Sequence, residues 1–398
     1  MTLPLSNRVQ RIKPSPTLSL SVRVDELKAQ GHDIINLGLG EPDFDTPEAI
    51  KAVGIQAIHD GATKYTAVNG IMSLRKAIAH KLKNENGLDY TPKQILVSCG
   101  SKQAVYNLGQ ALLNEGDEVI IPAPYWVSYP DIILLAGAVP VFIPTTIEQH
   151  FKMSPAQLEA AITPKTKLLI INSPNNPTGM IYSKAELAAL GEVLRRHPQV
   201  FIASDDMYEH IQWSDARFSN ILNACPDLAE RTMVLNGVSK TYAMTGWRIG
   251  YAAGPEYVIK AMSNIQAQST SSAAAMAQVA AEAALAGDQA CVHAMRDEYK
   301  NRHTYLAQAL NTLPGVKCIP SQGSFYVFPD FNDLIAKLPS IDNDMALAEY
   351  FLTEAKVAII PGSSFGAPGC MRISFVIGEP VLREAIRRLS IAIDKLLS

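Results

Sequence analysis

An excess of charge of either sign is what the sequence lacks first. Across 398 residues, Lys plus Arg number 35 and Asp plus Glu 38, a net of −3, and neither sign gathers into a tail. A chain that grips nucleic acid or an anionic membrane carries a basic excess or tract, so neither partner is expected. Cysteine is sparse and unpatterned. The five, at positions 99, 225, 291, 318 and 370, are odd in number and form no C-x-x-C pair, which argues against a disulfide framework or a cysteine-rich zinc site and for a reducing, cytoplasmic setting. Long apolar runs are missing too. The Ala-rich stretch from Ala273 to Ala286 is broken by Gln278 and Glu282, and the first 21 residues carry Arg8, Arg11, Lys13 and prolines. Neither a membrane span nor a secretory signal is therefore expected. There is no internal repeat and no low-complexity tract. What remains is 47% hydrophobic residues, enough for a sizeable core, and a length that suits two or three domains. A soluble enzyme acting on small molecules is the expectation.

Five short apolar, β-branched runs are the clearest strands: 95–98, 119–121, 168–171, 201–203 and 232–235. Their wide spacing leaves room for crossover helices, such as 184–195 between the third and fourth, so a mostly parallel sheet is the economical reading. Ligands of such sheets bind beyond the carboxyl ends of the strands. Past residue 290 the pattern changes: a helix over 292–313, a strand at 323–328, a helix around 346–355, extended chain at 357–361 and 371–376, and a last helix over 379–397. This mixture suggests a second, α+β domain to which the N-terminal stretch returns.

The residues just past four of the strands bear the chemistry. After 168–171 comes Asn172-Ser173-Pro174-Asn175-Asn176-Pro177-Thr178-Gly179, a turn in which prolines and a glycine hold amide side chains rigidly; alone it reads simply as a turn. After 201–203 comes Ser204-Asp205-Asp206-Met207-Tyr208, where a lone acid would suit a helix cap or a metal ligand equally. The run 232–235 leads to Ser239-Lys240, with Arg248 eight residues further on. Most lysines are solvated, but a lysine following a buried strand loses hydration; its pKa falls and it becomes an amine nucleophile toward a carbonyl. Lastly, 95–98 leads to Gly100-Ser101-Lys102 ahead of a helical pattern over 103–113, and small residues at a helix start suit a phosphate. Each signal is weak alone. Together they meet the requirements of an aldehyde cofactor bearing a phosphate and a pyridine ring, pyridoxal phosphate. Lys240 would condense with the aldehyde and Asp205 would keep the ring nitrogen protonated. Asn176 and Tyr208 would bond the ring oxygen, Gly100, Ser101, Ser239 and Arg248 would hold the phosphate, and Trp126 would stack on the ring.

The sequence resembles the class I/II, fold type I pyridoxal-phosphate aminotransferases, close to the bacterial aspartate aminotransferase branch that includes aspartate/prephenate enzymes. The resemblance runs over nearly the whole chain. It is carried by Asn36-Leu37-Gly38-Leu39-Gly40-Glu41-Pro42-Asp43-Phe44, Lys64-Tyr65-Thr66, Pro124-Tyr125-Trp126, Asn175-Asn176-Pro177-Thr178-Gly179, Ser204-Asp205-Asp206-Met207-Tyr208, Ser239-Lys240, Gly246-Trp247-Arg248-Ile249-Gly250 and Met371-Arg372-Ile373-Ser374. It implies an α/β fold: a large domain, 47–290, with a mostly parallel seven-stranded sheet covered by helices, and a small α+β domain from both termini, 1–46 and 291–398. It implies a homodimer with shared active sites, in which Tyr65 reaches the phosphate of the neighbouring subunit. It also implies that Arg372 grips the substrate α-carboxylate, with Gly40, Trp126 and Asn176 beside it, and that freed Lys240 moves the proton.

Substrate choice is where the motifs thin out. In the better-known branch an arginine of the neighbouring subunit binds the second carboxylate of aspartate, and the matching position here is Gln266. Lys102 is the alternative cation, adjoining the cofactor, and Lys13 matches a basic residue that assists prephenate use in the other bacterial branch. Both also fit ordinary solvated lysines. The resemblance implies transamination of L-aspartate with 2-oxoglutarate to oxaloacetate and L-glutamate, with prephenate a further acceptor in some members. Aminotransferases for aromatic amino acids, kynurenine or alanine, and C–S β-lyases, share the scaffold. Three other signals fall away. Gly362-Ser363-Ser364-Phe365-Gly366 matches G-x-S-x-G, but no histidine follows it. Gly38-Leu39-Gly40 does not open a helix as a dinucleotide fingerprint must. The histidines show no metal-ligand spacing, His197 and His210 reading as surface or packing residues, and Cys99 as a small buried filler; no metal is expected.

Overall fold

Residues 3–214 and 216–398 are described in a computed structural model of the chain. Its centre is a seven-stranded sheet: β1 (Ile95–Cys99), β2 (Glu118–Ala123), β3 (Val139–Pro144), β4 (Thr166–Asn172), β5 (Phe201–Asp205), β6 (Thr232–Gly237) and β7 (Ile249–Ala253). The order across the sheet is β1-β7-β6-β5-β4-β2-β3, and only β7 runs against its neighbours. Alternation along each strand sends side chains to two faces. Ile95, Val97, Leu169, Ile171, Ile202 and Val234 pack on one side, and Leu96, Leu168, Ile170, Phe201, Met233 and Leu235 on the other. With helices covering both faces, each fully buried Leu or Ile contributes about 1.5–3 kcal/mol.

Five of these strands are the five runs legible in the sequence; β3 and β7 are not among them. β3 lies at the sheet edge, carries Pro140 and Pro144 and exposes Val139 and Phe142, so only Val141 and Ile143 pack on the core and no continuous apolar run signals it. β7, Ile-Gly-Tyr-Ala-Ala, is buried, but three of its five residues are Gly or Ala. Its Gly250 is required by packing, because a Cβ there would stand 2.1 Å from the backbone nitrogen of Ser101.

Beyond the sheet, a separate apolar cluster joins Ile35 and Leu37 to residues of the last hundred, including Tyr299, Phe325, Phe331, Phe351, Ile373 and Leu389. A three-stranded sheet lies there, of β8 (Tyr326–Val327), β9 (Ile360–Pro361) and β10 (Met371–Ser374), with β10 in the middle. Ile35–Asn36 pairs in parallel with Val357–Ala358. The strand expected at 323–328 shrinks to two residues, and the extended chain at 357–361 divides between two sheets. The last helix falls at the expected bounds, Glu379–Leu397. No described helix is long and apolar enough to cross a membrane.

Candidate active site

The six strands that run together end at one edge of the sheet, and β7, running the other way, begins there. Cys99 pairs with Ile249, Gly237 with Gly250 and Asn172 with Asp205, so topology alone gathers Gly100, Asn172, Asp205, Gly237 and Arg248. Over this edge opens a cavity of about 410 Å³, a size that suits a small ligand. Ser101, Lys102, Trp126, Asn176, Asp205, Tyr208, Ser239, Lys240, Arg248, Gly40 and Arg372 all line it. Gly100 stands immediately behind. Tyr65 and Lys13 are not brought to it: Tyr65 is 93% exposed, and Lys13 is exposed, its backbone N–H donating to Asp131 Oδ1 at 3.4 Å.

One end is built around the start of a helix, α1 (Ser101–Leu112). Its first N–H groups have no acceptor within the helix and sit at the positive end of its dipole. Gly100, at φ 81°, precedes it, and a Cβ there would meet Arg248 Nη2 at 2.3 Å, so glycine serves both backbone and space. Arg248 Nη1 donates to Thr245 O at 2.9 Å and Nη2 to Cys99 O at 3.5 Å, leaving guanidinium donors unused. Ser101 and Ser239 add buried hydroxyls. A helix start, two hydroxyls and an arginine form a cradle for a dianionic phosphate.

Asp205 closes the end of β5 and is buried. Its Oδ2 accepts from Tyr129 O–H at 2.5 Å and its Oδ1 from the Met207 N–H at 3.3 Å. Burial pushes its pKa up to about 6 against the pull of these donors. A nearby ring N–H⁺ would pull it back down. Lys240 ends the segment after β6, and its amine donates to Gly40 O. Loss of hydration lowers its pKa to about 8; Glu41 opposes this, and Arg248, Arg372 and Lys102 reinforce it. A usable fraction of neutral amine therefore exists near neutral pH.

Arg372, at the centre of the three-stranded sheet, is 1% exposed. Nη1 donates to Asn176 Oδ1 at 3.1 Å and Nη2 to Gly38 O at 2.8 Å, while Nε has no partner. Its guanidinium lies 4.4 Å from the Tyr326 ring centre and 5.1 Å from that of Phe365. Among the described residues no carboxylate pairs with it. A buried cation without an anion is costly, and one facing a cavity awaits an anionic ligand. The contact also orients Asn176: its oxygen is taken by Arg372, so its amide N–H₂ remains to donate.

The segment opposite Arg372, Gly38 to Glu41, is fixed by Asp43, which accepts two bonds from Arg302 at 2.8–2.9 Å, and by the Leu37 carbonyl, which accepts from Ser374 N–H. The remaining wall, Thr17, Leu18 and Ser21, comes from α-helical residues 16–29. Lys102 is exposed at the rim, its amine 5.1 Å from the Trp126 ring centre, and burial of its head followed by the Arg248 charge lowers its pKa.

Gln266 is a buried tie: its Nε2 donates to Val68 O and Val97 O at 2.7 and 2.8 Å, and its Oε1 accepts from Asn107. Gln278 similarly holds the loop bearing Tyr65, through Thr66 Oγ1 and Ile71 N–H. Cys99 is half-buried, and His210 pairs with Glu85 at 2.8 Å. No motif points to Tyr129, Tyr326 or Thr245 as site residues, and Glu41 stands in the Asn36–Phe44 motif without a role, yet all of them line the cavity. The tyrosines are buried and read as core, and the Thr245–Glu41 bond of 2.8 Å spans 204 positions of chain.

The chain matches the family Aminotransferase class I and II over residues 32–389. It is 56% identical over 391 residues to the aspartate/prephenate aminotransferase of Nitrosomonas europaea, covering 97% of this chain and 98% of the relative. It is 47% identical over 385 residues to the aspartate aminotransferase of Geobacillus stearothermophilus, covering 97% and 98%. Among solved structures, the aspartate aminotransferase of Rhizobium meliloti superposes with a TM-score of 0.96 at 43% identity, over 99% of this chain and 100% of that one. That of Thermus thermophilus with maleate gives 0.93 at 42%, over 98% and 100%.

Proposed function

Because the chain belongs to the class I and II aminotransferases, enzymes that use pyridoxal phosphate, we propose that it moves the amino group of L-aspartate to 2-oxoglutarate, yielding oxaloacetate and L-glutamate. The cofactor, when bound, supplies a protonated ring that accepts the electron pair left when the substrate α-proton departs. The cradle at Gly100, Ser101, Ser239 and Arg248 suits its phosphate. Asp205, oriented by Tyr129 and the Met207 N–H, would hold the proton of the ring nitrogen. Asn176 Nδ2, left free by the Arg372 contact, and Tyr208 O–H would donate to the ring oxygen, and Trp126 would cover the ring face.

The observation that carries the reading is the unpaired, buried Arg372 sharing a cavity with the low-pKa amine of Lys240. Its fork binds the α-carboxylate in plane and thereby presents the α-carbon to Lys240, which takes the proton onto Nζ and returns it. Lys102 at the rim meets the distal carboxylate of aspartate, glutamate or their keto acids. Lys13, near the N-terminal helix that walls the cavity, is the cation for prephenate, an acceptor named for the Nitrosomonas europaea relative. Residues 47–290 form the large domain and 1–46 with 291–398 the small one. The exposed Tyr65 reaches the phosphate of a second subunit in a homodimer, and five unpaired cysteines suit a cytoplasmic enzyme.

A panel of donors (aspartate, glutamate, alanine, phenylalanine) with 2-oxoglutarate tests this, following keto acid, glutamate and ammonia. Aspartate should react fastest, with one glutamate per oxaloacetate and no ammonia. Faster turnover of alanine or phenylalanine, or release of ammonia, would sink the proposal.

A further inference from the structure

Directly behind the cavity lies a buried polar cluster that touches no substrate. Glu209 follows Tyr208, Asn236 precedes Lys240 by four residues, and Lys81 and Asn86 lie at the end of α-helical residues 72–86. All four are buried, none more than 7% exposed. Glu209 Oε1 accepts from Lys81 Nζ and from Asn236 Nδ2 at 2.6 Å, and Oε2 accepts from Asn86 Nδ2 at 2.6 Å. Lys81 also donates to Asn86 Oδ1 at 2.8 Å, which closes the ring. Asn236 Oδ1 in turn accepts from the Gly237 N–H at 2.7 Å, tying the amide to the backbone that leads to Ser239 and Lys240. From its outer side, His210 reaches Glu85 through Nε2 and Thr241 through Nδ1 at 3.4 Å.

An ion pair in this place is a poor route to stability. Buried pairs barely repay their desolvation, and apolar replacements of similar volume often do as well. What such a pair does provide is geometry. The segment 205–209 carries the acid and phenol that face the ring, the segment 236–240 carries the amine, and apart from the strand pairing of β5 with β6 the Glu209–Asn236 bond is their side-chain tie. We propose that Glu209, clamped by Lys81 and Asn86 and bonded to Asn236, is a positioning residue that holds the Asp205–Tyr208 turn in register with the Lys240 segment. The inference rests on the roles given above to Asp205, Tyr208 and Lys240.

Borohydride reduction of the wild-type holoenzyme and peptide mapping come first: a label on a residue other than Lys240 would defeat the functional reading, independently of what Glu209 does. With Lys240 labelled, two double variants are compared, Lys81→Met/Glu209→Gln and Lys81→Met/Glu209→Leu. Both remove the charges at near-constant volume, but only Gln keeps an acceptor for Asn236. The readouts are the melting temperature of the cofactor-free protein, the dissociation constant for pyridoxal phosphate, and the pH midpoint of the bound cofactor's absorbance change. The Leu variant should melt below the Gln variant, because it leaves the buried Asn236 and Asn86 amides without an acceptor, so cofactor affinities are compared well below both transitions. The Leu variant should bind the cofactor about tenfold more weakly, with a displaced pH midpoint, and the Gln variant should stay within about twofold of wild type. Equal affinities and midpoints in the two variants would overturn the proposal, and so would a weaker affinity in the Leu variant with no displacement of the pH midpoint. Should both fail to fold, Asn236→Ala decides: it breaks the tie from the other side, and unchanged cofactor affinity there overturns it equally.

Discussion

The cavity has two unlike walls. One is buried and over-determined: Arg372, Asn176, Asp205 and Tyr208 each have fixed partners, drawn from strand ends and from the three-stranded sheet. The other is an open rim of Lys102, Leu18, Gly40 and Glu41, residues that keep much of their surface in water. In the buried wall desolvation shifts pKa values and strengthens every charge, so a group there is committed to one task. On the rim, charges are screened and contribute modestly. Under the proposed function the first wall sets the reaction and the second the choice of side chain. Substitutions on the two sides should therefore differ by orders of magnitude and in kind.

Lys240→Ala should produce the largest loss. It removes the only amine among the described residues that lines the cavity's floor, the group to which the proposed function assigns both proton transfer and cofactor attachment. Turnover of aspartate should fall by about 10⁴-fold or more, measured by oxaloacetate formation. A residual rate within tenfold of wild type would break the division between walls at its strongest point. Next comes Arg372→Lys, which keeps the charge but loses the fork and the bonds to Asn176 and Gly38. The expected drop in kcat/KM is on the order of 10²–10³, common to aspartate, alanine and phenylalanine because all share the α-carboxylate. A loss confined to aspartate would move Arg372 to the specificity side.

The same division explains which residues are legible in the sequence. Asn176, Asp205 and Lys240 of the buried wall stand just past apolar runs, and it is their joint fit to one cofactor, not any one of them alone, that makes them legible. Arg372 rests on the family resemblance, since a lone arginine inside an apolar stretch has no spacing of its own. β3 and β7 escape because one is an edge strand with prolines and the other is three-fifths Gly and Ala. Tyr129 and Tyr326 escape because a buried tyrosine and a core residue look alike in sequence. The Lys81–Glu209 pair spans 128 positions, and nothing local couples its members. Rim residues such as Thr17 and Leu18 arrive from a helix, 16–29, whose apolar residues do not gather on one face.

The titration of Lys240 sharpens the contrast on a smaller scale. Its pKa is depressed to about 8 by burial and by neighbouring cations, so in cofactor-free protein its neutral, nucleophilic form rises as pH passes through that value. An ordinary lysine, near 10.4, must wait more than two units longer. At pH 8 a small aldehyde with cyanoborohydride should label Lys240 on the order of 10²-fold faster than surface lysines, with a midpoint near 8 by mass spectrometry. A midpoint above about 10 would mean that the wall does not desolvate its amine.

The smallest effect is the one that tests the rim. Lys102→Ala removes an exposed cation 5.1 Å from the Trp126 ring centre, and a screened contact of this kind contributes about 1 kcal/mol or less to a bound carboxylate. The KM for aspartate should therefore rise about three- to sixfold while kcat hardly moves, and alanine, which has no distal carboxylate, should be turned over as before. The selectivity between the two substrates is the decisive quantity. Lys102 also stands in the first turn of the helix whose start cradles the phosphate, so a loss of cofactor affinity would lower both substrates together and assign Lys102 to the phosphate end. An unchanged aspartate KM with intact cofactor binding would instead leave distal-carboxylate recognition to another cation, and Lys13 would be the next to substitute, with prephenate and 2-oxoglutarate compared as acceptors.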